Sequence, residues 1–312
     1  MKAPIGRWAR LLTESRNPRS RRLDTLPTRD VVRLLLDEDR RAITATLRQS
    51  GALARAAILV ARAIEAGGGV VFVGAGTSGR LGVLEAAECP PTFGTRRDQI
   101  QAVMAGGSRA VFLGREGAED DEPAGARHGR KLRPGDVLVG ISASSVTPFA
   151  RGALAAARSR QASTVLVTCA PGPRLRRLAD VVVAVPTGPE VLTGSTRLKA
   201  GSATKAVLNA ITTAAMVRLG KIYENLMVDL RPTSAKLRDR SLRIVAAAGG
   251  VSGARAKRLL RAAQGEVKTA IVMARLSVSA AEARRRLLEA QGHVRATLDG
   301  KRKPRRRQRA RS

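Results

Sequence analysis

The sequence contains few aromatic residues, histidines and cysteines, and each shortage excludes a class of function. Aromatic residues make up 2% of the 312 residues, which argues against a stacking platform for single-stranded nucleic acid. The two cysteines, Cys89 and Cys169, are 80 positions apart and form neither a disulfide framework nor a metal knuckle. The two histidines, His128 and His293, lie outside any cluster with ligand spacing. The sequence therefore predicts no metal site.

Long apolar runs are also missing. No run approaches the ~20 residues that a membrane-spanning helix needs, and the N-terminal residues lack the apolar core of a signal peptide. We therefore expect a cytoplasmic protein without a membrane partner.

Basic charge, in contrast, is abundant. The formal net charge is +32, and the densest cluster is 301–311, which holds eight basic residues. Such a run is usually a solvated, disordered extension. The alternative is a weak, salt-sensitive contact with nucleic acid or a membrane surface, which would not be the main function.

The middle of the chain alternates short apolar runs with helical stretches. The runs are too apolar for half-exposed strands and indicate strands covered on both faces. This alternation predicts a parallel sheet with right-handed crossovers. The predicted strands are 70–73, 99–104, 137–141, 164–167 and 181–185, and the predicted helices are 51–66, 79–88, 120–131, 148–159 and 196–219, with an earlier helix starting after Thr28.

These elements predict an α/β fold: a three-layer α-β-α sandwich with a mostly parallel five-stranded sheet, followed by a small C-terminal helical domain. The last part is predicted to be helical because 234–300 contains no strand-like run. The expected domains are an N-terminal helical segment at 1–50, a ligand-binding α/β domain at 51–232, the helical domain at 233–300 and the basic tail at 301–312.

A glycine-rich loop follows the first predicted strand and reads Gly74-Ala75-Gly76-Thr77-Ser78-Gly79. The usual reading of G-x-G-x-x-G is a dinucleotide site, but that site needs an acid at the end of the second strand, and 103–107 holds none. Two hydroxyls beside the amides of a helix N-terminus suit a phosphate monoester. A plain glycine turn is the alternative.

A second polar loop follows the third predicted strand. It carries four hydroxyls, those of Ser142, Ser144, Ser145 and Thr147, at the end of a strand where α/β sheets place ligands. Such a turn can also be a simple helix cap before Pro148. The two loops together resemble those of the sugar isomerase (SIS) fold, in which paired Ser/Thr loops hold a phosphosugar.

Two acidic positions invite a catalytic interpretation. Glu88 is expected at the end of a helix, just before the double proline Pro90-Pro91. The helix dipole disfavours an anion at that position. Such an acid is either exposed or held near neutrality for a purpose. The acidic cluster at 116–122 reads most simply as a helix N-terminus, and no other ligand-rich segment supports a metal site there.

Six longer segments make a more specific resemblance. The chain resembles the N-acetylmuramic acid 6-phosphate etherases, which are related to the glucokinase regulatory protein. The segments that carry the resemblance are 13–18, 74–82, 87–94, 116–120, 189–201 and 220–230.

The resemblance implies that the protein cleaves the D-lactyl ether of N-acetylmuramic acid 6-phosphate, giving N-acetylglucosamine 6-phosphate and D-lactate by elimination and addition of water. It implies no cofactor and a homodimer. A non-catalytic sugar-phosphate regulator, like the glucokinase regulatory protein, is the alternative. The third functional interpretation is an aldose–ketose isomerase that uses a single base.

The resemblance also assigns residues. It makes Glu88 the proton donor and Glu119 the C2 base, and a raised pKa at the expected helix end would suit Glu88. Glu190 and Lys199 match a segment that borders sugar sites, but either can equally be a structural ion-pair partner. The residues implied in phosphate binding are Thr77, Ser78, Gly79, Ser142, Ser144 and Thr147.

One loop departs from the family. Where the family typically reads S-G-R-T-P, this chain has Ser144-Ser145-Val146-Thr147-Pro148. Loss of the glycine strains the backbone if φ is positive there. Loss of the arginine removes a donor for phosphate or for the lactyl carboxylate, and another arginine could replace it.

Overall fold

The computed structural model describes residues 11–145, 147–172, 175–230, 232 and 234–300. Val146 and the predicted tail at 301–312 lie outside these described residues. Contacts divide the chain into two compact units. The first comprises Arg96–Ala215 with the described residues up to Glu88, and the second comprises Cys89–Thr95 with the described residues from Met216 onward.

A five-stranded parallel sheet forms the centre of the first unit, as the sequence predicted. Its strands are β1 (Val70–Gly74), β2 (Ile100–Met104), β3 (Val137–Ile141), β4 (Ser163–Thr168) and β5 (Val181–Ala184), in the order β2-β1-β3-β4-β5. Gly74 pairs with Met104 on one side and with Ile141 on the other. The loops after β1, β2 and β3 therefore meet at one edge of the sheet.

Helices cover both faces of this sheet and complete the three-layer sandwich. Val73 and Leu138 share a core cluster with Phe149 and Leu154, while Phe72, on the opposite face, contacts Gly82. The helices of this part of the chain are α1 (Thr28–Leu47), α2 (Ser50–Glu65), α3 (Gly76–Phe93), α4 (Glu122–Gly129), α5 (Pro148–Ser159) and α6 (Lys199–Arg218). Because Phe149 and Leu154 lie on α5 and Gly82 on α3, these two helices lie on opposite faces.

Small residues let α4 and α5 approach closely. A Cβ on Gly125 would lie 1.9 Å from the Phe149 carbonyl oxygen, and one on Gly129 would lie 2.3 Å from that of Ala153. Any larger residue at either position would force the helices apart. This close contact fixes α4, and with it the acidic segment that precedes it.

Within its described residues, the second unit contains a short hairpin and five complete helices. The hairpin pairs β6 (Ile222–Tyr223) with β7 (Leu226–Met227), and sequence reasoning missed it. The helices are α7 (Ala235–Gly249), α8 (Gly253–Ala262), α9 (Val267–Leu276), α10 (Ala280–Glu289) and α11 (Val294–Leu298). The predicted helix breaks at glycine are confirmed, since Gly250, Gly265 and Gly292 all have positive φ.

The domain bounds inferred from the sequence stay predictions. The contact division places 89–95 with the second unit, where a Cβ on Gly94 would lie 2.4 Å from the Asp229 carbonyl oxygen. None of the described helices is both long and apolar enough to cross a membrane.

Candidate active site

The glycine-rich loop after β1 folds tightly onto itself. A Cβ on Gly74 would lie 2.8 Å from the Gly79 nitrogen, and one on Gly79 would lie 2.7 Å from the Gly74 carbonyl oxygen. Helix α3 begins at Gly76, so Thr77 and Ser78 lie in its first turn, and both are half-buried. Amides of a first turn have no intrahelical partner, so the loop has the donors and dipole that bind a phosphate group.

The second loop, which follows β3, lies beside the first because β1 and β3 are neighbours. Ser142 Oγ lies 2.8 Å from Thr147 Oγ1. The amide of buried Ser142 also donates to the Val167 carbonyl at 3.0 Å. Ser144 and Thr147 are half-buried. The structure therefore brings together the two loops that the sequence assigned to phosphate binding.

Ser145 in this loop has a φ of 62°, in the left-handed region. The backbone at this position therefore has the positive φ at which loss of the family's glycine causes strain. A side chain in this conformation costs about 1–2 kcal/mol. The loop keeps a turn at this point, with the Ser145 amide donating to the Ser142 carbonyl at 3.0 Å.

The N-terminus of α6 approaches the first loop. A Cβ on Gly201 would lie 3.8 Å from Thr77 Cγ2 and 3.6 Å from the Thr196 carbonyl oxygen. Sequence reasoning placed Lys199, the first residue of this helix, beside a sugar site but did not predict that the helix end approaches the glycine-rich loop. The glycines of 189–201 were the available signal, because close approach of backbone to a ligand loop favours glycine.

Glu190 caps α6 from within the core. The residue is 1% exposed, and its carboxylate accepts the amides of Lys199 and Ala200 at 3.2 and 2.9 Å. Burial raises the pKa of Glu190 above its ordinary value, and the two backbone hydrogen bonds only partly offset this. Both oxygens thus have a structural function, and contact of Glu190 with a substrate stays a prediction.

Lys199 forms a buried ion pair with Glu38, the structural alternative that the sequence left open. Lys199 Nζ lies 2.5 Å from Glu38 Oε2, and the side chains are 4% and 5% exposed. Asn17 and Arg19 also donate to Glu38, at 3.1 and 2.6 Å. A substrate contact of Lys199 stays a prediction.

The charge state of Glu38 follows from these contacts. Burial alone would raise the pKa of the Glu38 carboxyl, but the hydrogen bonds from Lys199, Arg19 and Asn17 outweigh it and hold that pKa below its usual range. Sequence reasoning missed this network because its residues lie far apart in the sequence, although Asn17 belongs to the segment 13–18 that carries the family resemblance.

Glu88 lies on α3 and is exposed to solvent. The expectation that the helix ends at Glu88 is wrong, because α3 continues through Pro90 and Pro91 to Phe93. The two prolines cannot donate to the carbonyls of Ala86 and Ala87. The carbonyls of Ala86 and Ala87 therefore lack their usual i+4 amide donors, even though the helix continues.

Glu88 and Thr77 lie on the same face of α3. They are eleven residues apart, which is three turns plus about 20°, or about 16 Å along the axis. Glu88, the predicted proton donor, and Thr77 of the glycine-rich loop are therefore aligned along one face of α3, about three turns apart.

Glu119 lies in a separate turn ahead of α4. Gly117, with a φ of 72°, precedes the 3-10 turn Ala118–Asp120, and Glu119 is exposed. Asp121 caps α4 by accepting the Ala124 amide at 2.7 Å. Asp121 therefore fits the interpretation of the acidic cluster as a helix N-terminus. Glu119 is not the residue that caps α4.

A cavity of about 840 Å³ opens beside β2, the strand at the edge of the sheet. Glu116, Gly117, Ala118 and Asp121, which flank Glu119, line it together with Met104. Met104 also adjoins the glycine-rich loop, since a Cβ on Gly79 would lie 2.8 Å from Met104 Cγ. The volume suits a small organic ligand.

Among the described residues, no three His, Cys, Asp or Glu side chains gather in a way that could hold a metal ion. The groups available at this edge of the sheet are hydroxyls, helix N-terminal amides, arginines and carboxylates. Such groups can bind a phosphorylated sugar and move protons.

Comparison with known proteins agrees with this geometry. Residues 52–158 match the glucokinase regulatory protein N-terminal SIS domain, and residues 114–214 match the SIS domain. The parallel sheet with two hydroxyl-bearing loops is thus that of an SIS-domain protein.

Relatives over most of the chain narrow the class further. An N-acetylmuramic acid 6-phosphate etherase from Gloeobacter violaceus is 50% identical over 85% of this chain and 87% of its own. The etherase from Geobacillus thermodenitrificans is 48% identical over 84% of this chain and 90% of its own. The etherase from Rubrobacter xylanophilus is 50% identical over 85% of this chain and 89% of its own. The chain belongs to the N-acetylmuramic acid 6-phosphate etherase family.

Proposed function

We propose that this protein is a carbon–oxygen lyase that converts N-acetylmuramic acid 6-phosphate to N-acetylglucosamine 6-phosphate and D-lactate. The observation that carries the proposal is the joint presence of two hydroxyl-bearing loops at one sheet edge and two exposed carboxylates, within a chain about 50% identical to named etherases. Family likeness supplies the reaction, and the site supplies groups that suit it.

In the proposed reaction, the sugar binds in its open-chain form with its 6-phosphate between the loops of Thr77–Gly79 and Ser142–Thr147. The C2 proton is acidic because it lies α to the aldehyde. Glu119 removes it, the C3–oxygen bond breaks with formation of a C2–C3 double bond, and Glu88 protonates the departing lactate oxygen. Water then adds its hydroxyl at C3 and a proton returns to C2.

We further propose that the enzyme is a homodimer whose site takes Glu88 from the second copy. The residues on either side of Glu119 in the chain, Ala118 and Asp121, line the cavity beside β2, and so does Val83 of α3. Val83 lies six residues after Thr77, roughly 120° around the helix from the face that carries Thr77 and Glu88. The Val83 side of α3 therefore borders the cavity next to the segment that holds Glu119, whereas Glu88 lies on a different side of the helix. The reaction needs both carboxylates at adjacent carbons of one sugar.

A lactate assay tests the activity. The purified protein is incubated with N-acetylmuramic acid 6-phosphate in water enriched in oxygen-18. Elimination and hydration predict D-lactate without the label and a sugar phosphate with one labelled oxygen at C3. Label in lactate would contradict the C3–oxygen cleavage, and binding without any turnover would favour a non-catalytic sugar-phosphate regulator.

A further inference from the structure

The cavity beside β2 carries charged groups of both signs next to the segment of the proposed base. Arg115 and Arg127 line it, and so do the acids Glu116 and Asp121. Asp121 is already engaged in capping α4. The cavity therefore offers guanidinium groups for an anion, in a space bounded on other sides by apolar residues such as Val83, Ala102 and Phe149.

Arg115 is connected through short contacts to the glycine-rich loop after β1. The Ala105 amide donates to the Gly74 carbonyl at 3.0 Å, which joins the end of β2 to the start of that loop. The next residue, Gly106, has a φ of 84°, and a Cβ there would lie 3.2 Å from both Cβ and Cδ of Arg115. The glycine thus makes room for the stem of Arg115.

Arg115 is also close to Glu119 in the chain. The Ala118 amide donates to the Arg115 carbonyl at 3.4 Å, which turns the backbone directly ahead of Glu119. A ligand that meets both the phosphate loop and Glu119 would therefore pass the mouth of this cavity.

We propose that the cavity beside β2 receives the lactyl arm of the substrate and that Arg115 binds its carboxylate. This proposal rests on the proposed function, whose substrate carries one phosphate and one carboxylate. A guanidinium pairs with a carboxylate through two parallel hydrogen bonds, and the apolar wall suits the lactyl methyl group. The second loop has Val146 where the family typically has an arginine, and Arg115 would supply that missing positive charge. It acts as a specificity residue, because it distinguishes a sugar phosphate with a lactyl arm from one without.

The test compares two ligands in Arg115→Gln, Arg115→Lys and a control. N-acetylmuramic acid 6-phosphate has the lactyl arm, and N-acetylglucosamine 6-phosphate does not. In Arg115→Gln, the KM for N-acetylmuramic acid 6-phosphate should rise about tenfold or more, which is the effect of losing a charged hydrogen bond. The inhibition constant of N-acetylglucosamine 6-phosphate should stay within about twofold of the wild-type value. Arg115→Lys should recover part of the loss, since it keeps the charge without the planar fork.

Arg109→Gln is the matched control, because Arg109 is an exposed arginine of the same segment that does not line the cavity. It should leave both constants unchanged. An unchanged KM in Arg115→Gln would overturn the proposal, and so would an equal loss of affinity for both ligands.

Failure of the proposed function gives a different result from failure of this proposal. If the wild-type protein releases no lactate, equilibrium binding of the same two ligands replaces the kinetic constants. Tighter wild-type binding of the lactyl-bearing sugar, abolished by Arg115→Gln, would support the role of Arg115. Equal wild-type binding of both sugars would overturn it.

Discussion

Ser142 Oγ and Thr147 Oγ1 lie 2.8 Å apart and close the second hydroxyl-bearing loop across Ser145. The closed loop holds Ser145 at a φ of 62°. The backbone at Ser145 thus keeps a conformation that suits glycine, although this chain has serine where the family typically has glycine.

Replacing Ser145 with glycine should therefore stabilise the protein. Relief of the left-handed conformation is worth about 1–2 kcal/mol, and the greater freedom of glycine in the unfolded chain offsets about 0.4–1 kcal/mol of it. We expect Ser145→Gly to raise the free energy of unfolding by roughly 0.5–1 kcal/mol, measured by urea denaturation. Ser144→Gly is the control, because Ser144 has no positive φ, and it should lower stability instead.

The Lys199–Glu38 pair predicts a large effect on folding. Lys199→Met would leave Glu38 buried without its lysine, and loss of one partner of a buried pair costs about 3–5 kcal/mol. Since Arg19 and Asn17 still bind Glu38, we expect a loss near 3 kcal/mol in the free energy of unfolding. Adding Glu38→Met should restore most of the stability. A double variant less stable than the single one would contradict this account.

The lowered pKa of Glu38 predicts a pH dependence with a definite sign. Its contribution to stability is fully present above the ordinary value of 4.5 and is lost as the pH falls through the lower folded value. Glu38→Gln should therefore flatten the acid limb of the stability curve below pH 4.5. Glu190, whose pKa is raised, acts with the opposite sign and in a different range, because its contribution to stability is lost as the pH rises above 4.5. Glu190→Gln should therefore remove that loss above pH 4.5. Stability curves of the same shape in all three proteins would be inconsistent with both shifts.

Mixed subunits test the shared site. Glu88→Gln and Glu119→Gln are each expected to be nearly inactive, but mixing and reassembling them should restore lactate release. Half of the randomly mixed dimers contain one site with both glutamates, so activity should return to about a quarter of the wild-type level. Asp120→Asn, a change in the same exposed turn as Glu119, should stay active alone. No recovery from a mixture whose subunits demonstrably exchange would place acid and base in one chain.

The sheet was predictable because its strands are buried on both faces. Val70–Gly74 and Val137–Ile141 read as continuous apolar runs followed by glycine or serine, and a parallel sheet places the loops after such strands at one edge. The conditional expectation about Ser145 also needed only local chemistry, because positive φ is a property of the backbone at one residue.

Features that depend on distant contacts could not be read from the sequence. Pro90 and Pro91 normally signal the end of a helix, yet α3 continues to Phe93. Lys199 and Glu38 meet across 161 positions. The capping of α6 by Glu190 lies within the segment 189–201, but no standard capping pattern has its acid ten residues before the amide that it accepts. The hairpin of β6 and β7 has only two residues in each strand, too few for a periodic signal.

Isotope exchange in the Glu88→Gln variant tests the central claim, elimination of lactate with Glu88 as its proton donor. The variant and the wild-type protein are incubated with N-acetylmuramic acid 6-phosphate in deuterated water, and D-lactate and deuterium at C2 are measured together. The wild-type protein should release lactate and incorporate deuterium. In Glu88→Gln, lactate release should fall by about 10²–10⁴-fold while exchange at C2 survives, because Glu119 still removes that proton. Undiminished lactate release by Glu88→Gln would contradict the account.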